Sequence, residues 1–198
     1  SVVFFFVLWR FLALFFPASP AGGQKSPEGI VAYILVLTSS GIGFAISRWA
    51  GTSADLWIPE AITFLALAEA PHFILAQILM LASFWFYLKG LKTDKVKKYI
   101  FASICFLFLS FEHPFNLGTV AAAILSTSAW LLVLKRYKAT YLIKPLLIVI
   151  VTILAGVGYQ VFEIYQNPVL SSWAAQNKLL SPDPLNWLLG YGLILVLA

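Results

Sequence analysis

The sequence predicts an all-α fold, a polytopic transmembrane helix bundle with one interfacial or re-entrant helix and about six to seven membrane segments. Three observations predict it. Hydrophobic residues make up 61% of the chain and charged residues 11%, whereas a soluble domain carries about 25% charged residues. Apolar runs approach the roughly 20 residues that span a bilayer core as a helix, and short polar breaks separate them. Nine of the thirteen Lys and Arg fall in two short loops: Lys89, Lys92, Lys95, Lys97 and Lys98, then Lys135, Arg136, Lys138 and Lys144.

The first segment covers residues 1–16. It lacks the basic leader of a signal peptide, and Arg10 interrupts it, so it reads as the remnant of a spanning helix. Pro17 to Gly23 is breaker-rich, and Lys25 and Glu28 make that loop polar. The second segment runs over 29–47 and ends at Arg48. Residues 48–71 form a long mixed segment, in which Pro59 to Glu69 is apolar but too short to span. Pro59 suits a first helical position, giving an interfacial or re-entrant helix.

The third span is 72–89 and leads into the Lys-rich loop. Residues 98–111 form a helix too short to cross a bilayer of ordinary thickness, broken by Glu112-His113-Pro114. Residues 115–134 return to the second basic loop, Pro145 starts a span over 145–164, and 166–186 is a second outer segment carrying Pro168, Pro182 and Pro184. A last span begins near Trp187. The whole of 1–198 reads as one transmembrane domain, a fragment of a longer protein cut within apolar segments at both ends.

Short basic loops stay on the cytoplasmic side. An even number of crossings separates the two loops, so both face the cytoplasm. Asp55, Glu60, Glu69, His72, Glu112 and His113 fall in the alternating segments and are expected outside the cell membrane. The net charge of +5 flanks apolar spans and reads as a topology determinant facing membrane lipids, with no nucleic-acid partner. The single cysteine, Cys105, excludes an intrachain disulfide framework.

The outer polar residues carry whatever chemistry this chain has. Glu60 stands in a first helical turn, where the macrodipole stabilises a carboxylate; it also suits a base, a substrate-hydroxyl acceptor or a metal ligand. Asp55 lies in a polar turn-forming stretch, and Glu69 suits a capping role. His72 follows Pro71 and His113 precedes Pro114, so both are expected at helix N-termini, where free N–H groups favour anions. Glu112 can orient or charge the adjacent imidazole, and Asn116 offers an amide. No H-x-x-x-H, Walker or G-x-S-x-G pattern occurs, so no metal ligand set is assigned. Gly41-Ile42-Gly43 and Gly156-Val157-Gly158 read as helix-packing positions.

The ordered pieces Ser39-Ser40-Gly41-Ile42-Gly43, Ala54 to Glu60, Thr63-Phe64, Pro71-His72-Phe73 and Glu112-His113-Pro114-Phe115-Asn116 resemble prokaryotic multi-spanning proteins related to the GT-C class of membrane glycosyltransferases. The resemblance covers roughly residues 38–125. It implies transfer of a sugar from a polyprenyl-phosphate donor, a lipid-linked partner, at the outer membrane face. It also implies a base or metal-binding acid in a first outer loop that this sequence does not display; the cofactor is open, and a divalent metal is compatible with the class. On that expectation Glu60 is the catalytic base, and Asp55, His72, Glu112, His113 and Asn116 bind substrate. The competing classes are a transporter or flippase for an anionic lipid or small solute, and a non-catalytic membrane subunit.

Overall fold

A computed structural model describes residues 2–17, 26–38, 63, 66, 71–114, 116–176 and 184–185. The described residues include seven helices of defined extent and no strand. They are α1 (Val2–Leu12), α2 (Pro27–Thr38), α3 (Pro71–Thr93), α4 (Val96–Glu112), α5 (Asn116–Val133), α6 (Ala139–Gln166) and α7 (Pro168–Gln176). Three of them, α3, α5 and α6, are long and apolar enough to cross a membrane. Helix α4 has 17 residues, a length of about 25 Å at 1.5 Å per residue, a few ångströms short of a typical hydrocarbon core. In the expected interfacial stretch 59–69, Thr63 and Ala66 are helical; its other residues, like the expected last span from Trp187, lie outside the described residues.

The chain forms two compact units, one of Ser1–Gln77 with Leu179–Ala198 and one of Ile78–Lys178. In the first, α1 packs on α2. Helix α2 begins two residues before the expected position because Ser26 caps it: its hydroxyl accepts from the Gly29 N–H at 3.0 Å, and Pro27 occupies the first turn. The Tyr33 hydroxyl donates to the Phe5 carbonyl, and the Tyr33 ring meets Trp9 edge-on at 5.4 Å.

The second unit is held by α4 against α6, its most extensive helix pair. Tyr99, Ala102, Phe106 and Leu109 line the buried face of α4, while Leu142, Val149 and Gly156 line that of α6. Leu117, Val120, Ile124 and Ser128 form a single buried stripe on α5, at the three- and four-residue spacing of one helix face. Side chains join α3 to the rest: buried Tyr87 shares a 2.7 Å hydrogen bond with Ser128 of α5.

The two basic loops lie at one end of this unit. Helix α3 stops with Asp94 in the left-handed region (φ 51), its N–H returning to the Gly90 carbonyl at 2.8 Å. That cap satisfies Gly90 and leaves the Leu91 carbonyl open. The hydroxyls of Tyr137 and Tyr141 both donate to it, at 3.3 and 3.1 Å. Their rings stack at 5.2 Å, so the loop before α6 is clamped to the end of α3. Helix α5 ends in a Schellman motif with Lys135 left-handed (φ 54): Lys135 N–H donates to Leu132 and Arg136 N–H to Leu131.

Two expectations are corrected. Pro145 does not start its helix; α6 begins six residues earlier at Ala139, and Pro145 lies inside it. Proline removes one N–H bond and normally favours a first turn, but the tyrosine hydroxyls tie the extra turns to α3. The span expected to end at 164 also runs further, and the segment expected at 166–186 carries a helix of its own over Pro168–Gln176. Helix α6 continues to Gln166, and Asn167 both closes it through an N–H bond to Glu163 and opens α7. The Asn167 side-chain oxygen accepts from the Val169 and Leu170 N–H groups, with Pro168 in the first position.

Candidate functional site

The candidate residues on the second unit meet at the corner between α4 and α5. Glu112 is the last residue of α4, and Asn116 is the first of α5. Between them His113 serves both helices. Its N–H closes α4 onto the Leu109 carbonyl at 2.8 Å, and its own carbonyl accepts from the Asn116 N–H at 3.1 Å. Leu117 N–H likewise donates to Pro114. The expectation that His113 heads a helix therefore needs amending, because His113 is as much the C-terminal cap of α4 as the entry to α5. The negative end of one helix and the positive end of the next share the corner, and the net field on an anion is weaker than a lone N-terminus would supply.

Glu112 and Asn116 differ in exposure: the carboxylate is open, while His113 and Asn116 are half-buried. A carboxylate on the last turn of a helix runs against the macrodipole. Here the positive end of α5, which begins four residues later, offsets part of that cost. A carboxylate, an imidazole and a carboxamide thus stand within five residues on a partly wet corner. They can together donate to and accept from hydroxyl and phosphate oxygens.

Helix α6 supports the corner from behind. The Gln160 side-chain amide donates to the Ser110 carbonyl at 2.5 Å. This carbonyl belongs to the last turn of α4, where no helical N–H is available to it. Tyr159 meets Phe111 edge-on at 4.9 Å. Close approach is possible because Gly156 faces Ser110: a Cβ there would lie 2.9 Å from the Ser110 Cβ. The packing role expected of Gly156 holds, whereas a Cβ on Gly158 would meet nothing within 4 Å. Gln160 and Ser110 were not among the residues expected at the corner; the only signal was the small residue one turn before Gln160.

His72 occupies the first turn of α3, as expected, and its ring lies 4.1 Å from that of Phe73. It is exposed and belongs to the first compact unit. Glu60, Asp55, Glu69 and Gly41 to Gly43 lie outside the described residues. Among the described residues, no three His, Cys, Asp or Glu side chains group closely enough to hold a metal ion. Cys105 is half-buried and free.

No protein-family model, curated protein or solved structure matches this chain.

Proposed function

We propose that the chain belongs to an integral membrane glycosyltransferase-like protein that takes a sugar from a polyprenyl-phosphate donor at the outer face of the membrane. The observation that carries this reading is the ordered series from Ser39 to Asn116, whose polar residues recur between apolar helices and away from the basic loops. The corner at Glu112, His113 and Asn116 supports it. That corner stands one length of α4 away from the Lys-rich turn at Asp94 and Lys95.

The reaction would form a bond between an acceptor oxygen and the anomeric carbon of the sugar while the bond from that carbon to the carrier phosphate breaks. Glu60 takes the proton of the acceptor hydroxyl. The leaving phosphate keeps the bonding electrons, and the imidazole of His113 donates a hydrogen bond to it as its charge grows. Asn116 adds a second donor, and Glu112 orients the imidazole. His72 and Asp55 are the further substrate-binding residues of this reading.

The transporter reading asks for functional polar groups at mid-depth. Of the buried polar side chains in the second unit, Ser83, Ser110 and Ser128 return their hydroxyl bonds to carbonyls on their own helices. Such bonds satisfy these three groups locally, while the buried Ser103 hydroxyl has no hydrogen-bond partner. The enzyme is preferred on the sequence positions of the acids and histidines, which fall between the apolar runs.

The test is native mass spectrometry of the full-length protein with polyprenyl phosphate and with the matching polyprenol. The phosphate is retained preferentially, and His113→Ala reduces that preference by about tenfold, the loss of one charged hydrogen bond. Glu60→Gln keeps the preference and lowers sugar transfer. Equal retention of the two lipids by the unaltered protein would overturn the proposal.

A further inference from the structure

We propose that the basic end of the second unit carries a defined site for an anionic phospholipid, built from Trp85, Phe86 and Lys89 of α3 and Lys98 and Phe101 of α4. The three rings form a continuous platform across the two helices. Trp85 and Phe86 stack with centroids 4.9 Å apart, and Phe86 and Phe101 stack at 5.4 Å. Each lysine folds back over this platform. The Lys89 ammonium lies 5.2 Å from the Trp85 ring, and that of Lys98 lies 5.5 Å from Phe86 and 5.9 Å from Phe101. Ring faces attract ammonium groups without saturating their hydrogen-bond donors. Both charges are thus fixed on the side wall of the bundle and remain able to donate to a phosphate.

The surroundings select the sign and the kind of ligand. Between residues 89 and 98 there are five lysines and one aspartate, a net charge of +4. Below Lys98, α4 exposes Phe101, Ile104, Phe108 and Phe111, from 41% to 61% of their surface. Their spacing of three, four and three residues keeps them on one side of the helix. A free phosphate has no use for that apolar track, whereas a phospholipid fits it with its headgroup at the lysines and an acyl chain along the helix. The occupant is therefore an anionic lipid with acyl chains. It is a separate ligand from any polyprenyl-phosphate donor, and the site does not depend on the glycosyltransferase reading.

The experiment uses full-length protein in phosphatidylcholine bilayers doped with spin-labelled phosphatidylglycerol or spin-labelled phosphatidylcholine. Electron paramagnetic resonance then gives the relative association of each lipid with the protein. The unaltered protein prefers phosphatidylglycerol. Lys89→Gln with Lys98→Gln lowers the preference by roughly fivefold or more, the equivalent of at least about 1 kcal/mol for charges at the membrane surface. Lys95→Gln with Lys97→Gln removes the same charge from exposed positions at the start of α4 and retains most of the preference. Phe101→Leu keeps the apolar bulk, removes one ring under Lys98 and gives an intermediate loss. An unchanged association of phosphatidylcholine shows that each variant retains its bundle. Equal losses from the two lysine pairs would mean diffuse attraction and overturn the site, as would no preference in the unaltered protein. Displacement of the lipid by inorganic phosphate, beyond the effect of chloride at equal ionic strength, would overturn the commitment to a lipid.

Discussion

Gly90→Ala should destabilise the second unit by about 2 kcal/mol, although alanine is the better helix former. The new methyl would land on the Tyr99 ring, 2.8 Å from Cδ1 and 2.9 Å from Cζ. Tyr99 has little room to yield: it is 2% exposed, and its ring sits 6.0 Å from that of Tyr87, which is itself fully buried. Overpacking of this kind costs about 1–3 kcal/mol, and the depth of the overlap places it near the upper end. Replacing an interior glycine by alanine returns about 1 kcal/mol of helix propensity. The difference is the expected loss. Reversible unfolding in mixed micelles, followed by helical circular dichroism, measures it. The decisive comparison is the same substitution with Tyr99→Ala already present. With the ring gone only the propensity gain remains, so Gly90→Ala becomes neutral or stabilising by up to about 1 kcal/mol. The coupling between the two sites is then about 3 kcal/mol, as expected for residues in direct contact. The reasoning is refuted if the substitution stabilises the unaltered protein, or if it costs the same with and without the ring.

Other perturbations have similarly defined outcomes. Tyr137→Phe and Tyr141→Phe should each cost little alone, because either hydroxyl still serves the Leu91 carbonyl; together they should cost about 1–3 kcal/mol by leaving it unpaired, read in the same unfolding assay. Lys135→Gly should stabilise the fold by about 1 kcal/mol, since it relieves a left-handed residue in the Schellman motif. Lys92→Gly, inside α3, should cost about that much. Asn167→Ala should cost about 1 kcal/mol and speed hydrogen exchange at the Val169 and Leu170 amides without affecting those of α4.

Much of the helical layout was legible because apolar runs bounded by prolines and charges leave few alternatives. The runs expected at 72–89, 98–111 and 115–134 correspond to α3, α4 and α5 with ends displaced by a few residues. Helix α3 outran its expected end because Lys89 and Lys92 are good helix formers, and only the left-handed Asp94 stops it. The start of α6 was misplaced for a different reason. Local rules assign Pro145 to a first turn, but the bonds from Tyr137 and Tyr141 to Leu91 are long-range and have no local signature. Helix α7 did have one, Asn167-Pro168, which the nearby prolines obscured. At the corner, Pro114 announced the break and grouped Glu112, His113 and Asn116. The support from Gln160 reaches across 50 residues and depends on the small Gly156, so it emerges only from packing.

The placement of both basic loops at one end, with the Glu112–Asn116 corner one helix length away, makes the membrane orientation the most direct test of this account. Cysteines are introduced at Lys95 or Ser172, both exposed, with Cys105 replaced by alanine. Intact cells are treated with a membrane-impermeant thiol reagent, then permeabilised and treated again. The account requires position 172 to react from outside and position 95 only after permeabilisation. Labelling of position 95 in intact cells, with position 172 protected, would invert the orientation and remove the basis for an outer-face reaction at His113.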